Sequence, residues 1–103
     1  MARRGYVYIM ANRKEGTLYT GVTNNLVRRV TEHRCGNGSR FVRKYQLHRL
    51  VYVEMHDDIE EAIAREKRIK RWRRAWKLEL VASLNPTWRD LYDDVCADPV
   101  AWS

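Results

Sequence analysis

The sequence predicts an α/β (α+β) domain built on a small, mainly antiparallel three-stranded sheet flanked by helices. Three observations carry this. Runs rich in aromatic and β-branched residues at 6–11, 17–22 and 48–55 read as strands. The polar, glycine-ended connection between the first two reads as a hairpin turn. Segments with apolar residues three and four apart follow the second and third strands and read as helices. The 103 residues fit one domain, 1–103, with its core at about 4–84 and a short helix and acidic tail at 85–103.

In chain order, "YVYIMA" (6–11) is the first strand, "NRKEG" the turn and "TLYTGV" (17–22) the return strand. Side chains alternate faces along a strand. Tyr6, Tyr8 and Met10 therefore share one face, as do Tyr19 and Gly21, and Tyr8 and Tyr19 are expected to meet across the hairpin. The helix that follows has Thr23 or Asn24 as its N-cap and Gly36 as its stop. Leu26 and Val30 form its apolar stripe, and Arg29 and His33 lie on that same side. "CGNGSRFVRKYQ" (35–46) reads as a basic loop with room for a helical turn, and "HRLVYVEM" (48–55) as the third strand.

Residues 57–84 read as one long helix with room for a break, opened by the capping-box spacing of Asp58 and Glu61. Ile59, Ala62, Glu66, Ile69, Arg73, Trp76 and Leu80 form its inward stripe. A carboxylate in that stripe must be paired, metal-bound or at the rim of the core, because isolated burial of a charge is costly. Arg73 is one candidate partner for Glu66. "NPTWRDLYDDV" reads as an Asn85 cap, a proline at the first helical position and a short helix. The four tryptophans, Trp72, Trp76, Trp88 and Trp102, read as packing groups, Trp72 least firmly.

The net charge of +7 and pI near 9.8 favour a polyanionic partner, most often nucleic acid. Charge alone leaves ribosomal and membrane-surface association open. Cys35 and Cys96 lack metal-ligand spacing and are too few for a disulfide framework, so a reducing, cytoplasmic setting is expected. The only apolar run near Arg3 and Arg4 is too short for a signal peptide or a membrane span.

Taken singly, the chemistry-bearing residues have ordinary readings. Tyr8 and Tyr19 serve as strand aromatics, Arg28 and Arg29 as solvated helix charges, and His33 as a helix C-terminal residue. Glu66 serves as a structural ion-pair partner and Asn85 as a cap. Together they resemble the GIY-YIG nuclease superfamily, in its small standalone bacterial form. Its two name-giving triplets correspond to Tyr6-Val7-Tyr8 and Tyr19-Thr20-Gly21, with tyrosine in place of the first glycine and threonine in place of the isoleucine. Tyr8 and Tyr19 stand eleven residues apart, Arg29 follows Tyr19 by ten and His33 by fourteen, as the family pattern expects. The family's carboxylate corresponds to Glu66 and its late asparagine to Asn85.

The resemblance implies a metal-dependent DNA endonuclease with one divalent ion, magnesium or alternatively manganese, held by Glu66. It implies that Tyr8 or Tyr19 positions and deprotonates the attacking water, that Arg29 grips the phosphate, that His33 orients a tyrosine or assists proton transfer, and that Asn85 steadies a neighbour. A free tyrosine titrates near pH ~10, so Arg29 is expected to lower the phenol's pKa. Arg28, Arg40, Arg43, Lys44, Arg71 and Arg74 are expected to hold DNA through its phosphates, without strong sequence preference. Specificity then comes from DNA structure or from a protein partner. The rival readings are a non-catalytic module for branched DNA or RNA and a structural part of a ribonucleoprotein.

Overall fold

In the computed structural model, which describes residues 3–98, the central strand is β1 (Gly5–Ala11). Two antiparallel neighbours flank it, β2 (Leu18–Thr23) and β3 (Arg49–His56), giving the sheet order β2-β1-β3. All seven residues of β1 are buried, because helices cover both faces of the sheet. Tyr6, Tyr8 and Met10 pack with Leu26, Val30, Val42 and Val95 on one face. Val7, Ile9 and Ala11 pack with Ala62, Ile69, Val81 and Trp88 on the other. The pairing with β3 shifts between Ile9 and Met10, so Val51 is the extra residue of a bulge and its side chain joins the second face.

The covering helices are α1 (Leu26–Arg34), α2 (Arg40–Tyr45), α3 (Ile59–Lys70), α4 (Arg74–Leu84) and α5 (Tyr92–Ala97). α1 starts one residue later than expected. Asn25 is its N-cap and accepts from the Arg28 N–H, while the Thr23 hydroxyl accepts from the Asn25 N–H and steadies the turn into the helix. The chain leaves α1 through Gly36, whose φ of +81° suits glycine. The basic loop holds a full short helix, α2, capped by the Ser39 hydroxyl and ended by Gln46 in the left-handed region.

The expected long helix is two helices. α3 ends at Lys70, and Arg73 is extended, with φ −61° and ψ 150°, before α4 begins. The inward stripe holds through Ala62, Glu66 and Ile69 and then fails, for Arg73 and Trp76 are exposed. The physical reason is visible in the charges. Lys67, Arg68, Lys70, Arg71, Arg73 and Arg74 crowd the junction, where like charges one turn apart oppose a continuous helix. Breaking there also lets the Arg74 guanidinium donate to the carbonyls of Glu15 and Gly16 on the β1–β2 hairpin.

"NPTWRDLYDDV" also folds differently from its sequence reading. Asn85 is the C-cap of α4, a turn follows, and α5 starts at Tyr92. The Asn85 amide donates to the carbonyls of Val51 and Arg89, and its oxygen accepts from the Arg89 N–H. That clip closes the loop and sets Trp88, at φ +58°, into the core with 2% of its surface exposed. A helix through these residues would forfeit both. Trp102 and the end of the tail lie outside the described residues. Among those described, no helix is long and apolar enough to cross a membrane, and Cys35 and Cys96 are free thiols.

Candidate active site

The site grows from the β1–β2 hairpin and one side of α1. Tyr8 pairs across the strands with Gly21, and Tyr19 pairs with Met10, so the two tyrosines are diagonal neighbours rather than opposite one another. Their ring centroids lie 6.3 Å apart. Gly21 makes this possible. A Cβ there would stand 2.5 Å from both Cζ and Oη of Tyr8, so the Tyr8 ring passes across the bare backbone of β2. The glycine of the second triplet thus serves a ring on the neighbouring strand.

α1 brings His33 to the same place. Its Nε2 lies 2.8 Å from the Tyr8 hydroxyl, and its ring packs edge-on to Tyr19 at 5.4 Å. His33 is completely buried, and burial, helped by the Arg29 charge, pushes its pKa down to about 4, so it is neutral near pH 7. Its Nδ1 is buried without a hydrogen-bond partner, pressed against Gly38, where a Cβ would come within 2.2 Å. An unpaired buried N–H is costlier than an unused lone pair. The favoured tautomer therefore carries its proton on Nε2 and donates it to the Tyr8 oxygen.

Arg29, one turn earlier on α1, interacts with that oxygen too and lies 3.7 Å from Glu32. Burial opposes its charge, but the Tyr8 hydrogen bond and the nearby tyrosines and Glu32 outweigh that. Arg29 acts on Tyr8 in the expected direction, favouring the phenolate. The net result is the reverse of the expectation. Burial, followed by Tyr19, pushes the Tyr8 pKa above the ordinary tyrosine value, and Glu66 adds to this. In the free protein Tyr8 keeps its proton at neutral pH.

Glu66 reaches the site from α3, which packs against β1 and β2. Its side chain is only 12% exposed, and its ion-pair partner is Lys70, 3.4 Å away, rather than Arg73. Arg73 instead lies over the Trp76 ring, 4.6 Å from its centroid. A divalent ion would find one carboxylate donor here, Glu66. Glu66 is a single hard carboxylate whose ion-pair partner is itself half exposed and free to swing away. Among the described residues no three His, Cys, Asp or Glu gather into a cage. Magnesium commonly takes one or two carboxylates and keeps several waters.

The structure therefore brings together Tyr8, Tyr19, Arg29 and His33, with Glu66 near enough to act on Tyr8 electrostatically. Asn85 does something else, since all three of its side-chain hydrogen bonds go to main chain, at Val51 of β3 and at Arg89. Arg28 is exposed on α1 and pairs weakly with Glu32 at 3.7 Å. Arg40, Arg43 and Lys44 are exposed on α2 beside the site. Arg71 and Arg74 sit at the α3–α4 break, and Arg74 is engaged with the hairpin carbonyls.

The spacing of this cluster matches a known pattern. A family model described as the GIY-YIG catalytic domain matches residues 4–79. The chain belongs to the GIY-YIG family. The GIY-YIG domain is a nuclease domain, and the match takes in every element from β1 to the middle of α4. Similar curated proteins include a UPF0213 protein of Natronomonas pharaonis, 44% identical over 82 residues that are 80% of this chain and 95% of that one. A UPF0213 protein of Clostridium perfringens is 42% identical over 78 residues, 76% of this chain and 83% of its own length. The solution NMR structure of a UPF0213 protein from Bacillus halodurans superposes with a TM-score of 0.54 at 32% identity, covering 84% of this chain and 92% of that one. The GIY-YIG chain described here thus shares its fold with the Bacillus halodurans protein and matches most of the length of these curated relatives.

Sequence reasoning left two site features unassigned. Gly38 is the wall behind His33, and its place in "GNGS" is the signal that pointed to it. Phe41 and Tyr45 extend the site outward, and only the folding of α2 reveals that.

Proposed function

We propose that this GIY-YIG protein is a divalent-metal-dependent DNA endonuclease that hydrolyses phosphodiester bonds. One observation carries the reading: the buried hydroxyl of Tyr8 is held 2.8 Å from His33 Nε2, with Tyr19 packed beside both rings and the charges of Arg29 and Glu66 within electrostatic reach. A core needs no such arrangement. Packing would be served as well by phenylalanine and leucine, without a neutral buried imidazole or a nearby arginine charge.

Phosphodiester hydrolysis needs a positioned water, positive charge at the phosphate and help for the leaving oxygen. Arg29, about one-third exposed, grips the scissile phosphate with its guanidinium fork. Its permanent charge faces the negative charge that builds during attack. Tyr8 and Tyr19 flank the attacking water, and a tyrosine that has first released its own proton to solvent, as a bound ion would favour, takes a proton from that water. His33 fixes the Tyr8 oxygen through Nε2–H and stays neutral throughout. Glu66 holds the metal, magnesium or manganese. When bound, the ion offsets charge developing on the phosphate and favours the deprotonated form of neighbouring hydroxyls. The basic residues of α2 and α1 hold the DNA backbone, which gives affinity without sequence preference. Selectivity then comes from the DNA's structure or from a partner protein.

The test is cleavage of linear, nicked and branched DNA by the purified protein, with and without magnesium, beside Glu66→Ala and Tyr19→Phe. Magnesium-dependent cleavage that both variants lose is expected. Equal residual cleavage by all three proteins would assign it to a contaminant and overturn the proposal.

A further inference from the structure

We infer that Phe41 and Tyr45 on α2 are a stacking track for unpaired bases of a DNA strand, leading away from Tyr19. Four rings stand in succession. Tyr8 and Tyr19 are 6.3 Å apart, Tyr19 and Phe41 6.3 Å, and Phe41 and Tyr45 4.7 Å. Tyr8 is 1% exposed, Tyr19 is half-buried, and the outer pair is exposed, at 42% for Phe41 and 41% for Tyr45.

The fold does not ask for the outer pair. α2 is anchored by Val42, which is 1% exposed, while Phe41 and Tyr45 stand one turn apart on its outer face. The two rings, 4.7 Å apart and each about two-fifths exposed, form a small aromatic patch at the surface. The surrounding charge names the partner. Residues 35–53 contain no Asp or Glu, and Arg40, Arg43 and Lys44 flank the rings, with the Lys44 ammonium 5.3 Å from the Tyr45 ring centroid. Alternating aromatic rings and cations fit a single nucleic-acid strand, whose bases stack while its phosphates meet the cations. Bases inside a duplex are already stacked on their neighbours and have no face to offer. The row therefore selects strands that are unpaired next to the bond at Tyr19. The position of that bond rests on the nuclease reading; the binding itself does not.

The experiment measures binding of a labelled oligonucleotide by fluorescence anisotropy, as a single strand and as a blunt duplex, at fixed salt with a chelator present. Wild type is compared with Phe41→Ala, Tyr45→Ala and the ring-preserving Phe41→Trp, each first shown to melt as wild type does. Each alanine variant is expected to bind the single strand about tenfold more weakly and the duplex within about twofold of wild type. Phe41→Trp is expected to keep single-strand affinity, and a 2-aminopurine in the strand to report stacking that the alanine variants abolish. Equal loss on both substrates, or no loss on either, overturns the track. The two readings fail separately. Absence of magnesium-dependent cleavage with the single-strand contrast intact removes the nuclease and leaves the track; cleavage without the contrast removes the track alone.

Discussion

Replacing Gly21 with alanine strikes the site at its narrowest point. The new Cβ would sit 2.5 Å from Cζ and Oη of Tyr8 and 3.0 Å from Cε1 of Tyr19. Ordinary carbon contacts lie near ~3.5–4 Å, so the Tyr8 tip must retreat by about 1 Å. Tyr8 is 1% exposed and its hydroxyl is held 2.8 Å from the fully buried His33, so the retreat strains a packed pair rather than a free side chain. Overpacking of this kind costs about 1–3 kcal/mol. For a domain of this size each kcal/mol lowers Tm by roughly 4–8 °C. The protein still folds at 25 °C, but a displacement of about 1 Å in a catalytic group costs about 100-fold in rate. The assay pairs thermal unfolding by circular dichroism with cleavage per folded molecule. Gly16→Ala is the control, because its Cβ would meet Asn12 and Arg13 in the hairpin turn, away from Tyr8. It is expected to lose stability and keep activity. Gly38→Ala presses the same pair from the His33 side, at 2.2 Å from Nδ1, so its effect should add to that of Gly21→Ala by less than the sum. A Gly21→Ala protein that loses stability yet cleaves as wild type does would refute the placement of Tyr8 in the chemistry.

Two further outcomes follow. Asn85→Ala removes three hydrogen bonds to main chain and is expected to cost about 2–3 kcal/mol, read as a lower Tm, with cleavage per folded molecule unchanged at low temperature; a tenfold loss per folded molecule would instead assign Asn85 to the reaction. His33 has a folded pKa of about 4 against an ordinary 6.5, so its contribution is complete above pH 6.5, falls as pH drops toward 4 and is level below that, for a total of about 3 kcal/mol. Denaturant unfolding across that window should show wild type losing its advantage over His33→Gln, and a constant difference between them would contradict a buried, neutral imidazole.

Much of the site was legible in sequence because its geometry is local. A hairpin fixes where Tyr8 and Tyr19 stand, and one helical turn fixes Arg29 relative to His33. Glu66 was legible as a carboxylate on an apolar stripe, and it is only 9% exposed. Other readings failed where a side chain found a better partner far along the chain. The reading of Asn85 and Pro86 as a helix start ignored Val51, whose carbonyl takes the Asn85 amide from 34 residues away. The reading of 57–84 left room for a break but carried the inward stripe through Arg73 and Trp76, counting spacing and missing the cost of a crowded basic junction.

What the sequence determined by itself was the three strands, the helices that follow the second and third of them, and the chemical groups available, since periodicity and turn residues act over a few residues at a time. What only the tertiary structure decided was the state of those groups. Arg29 favours the Tyr8 phenolate, yet burial holds the proton on, and no spacing rule reports which of two opposing fields is larger. The orphaned Nδ1 of His33, the bare backbone of Gly21 under a ring and the row running from Tyr19 to Tyr45 likewise exist only once strands and helices pack. Desolvation and close contact are properties of the packed chain, and they set what its residues can do.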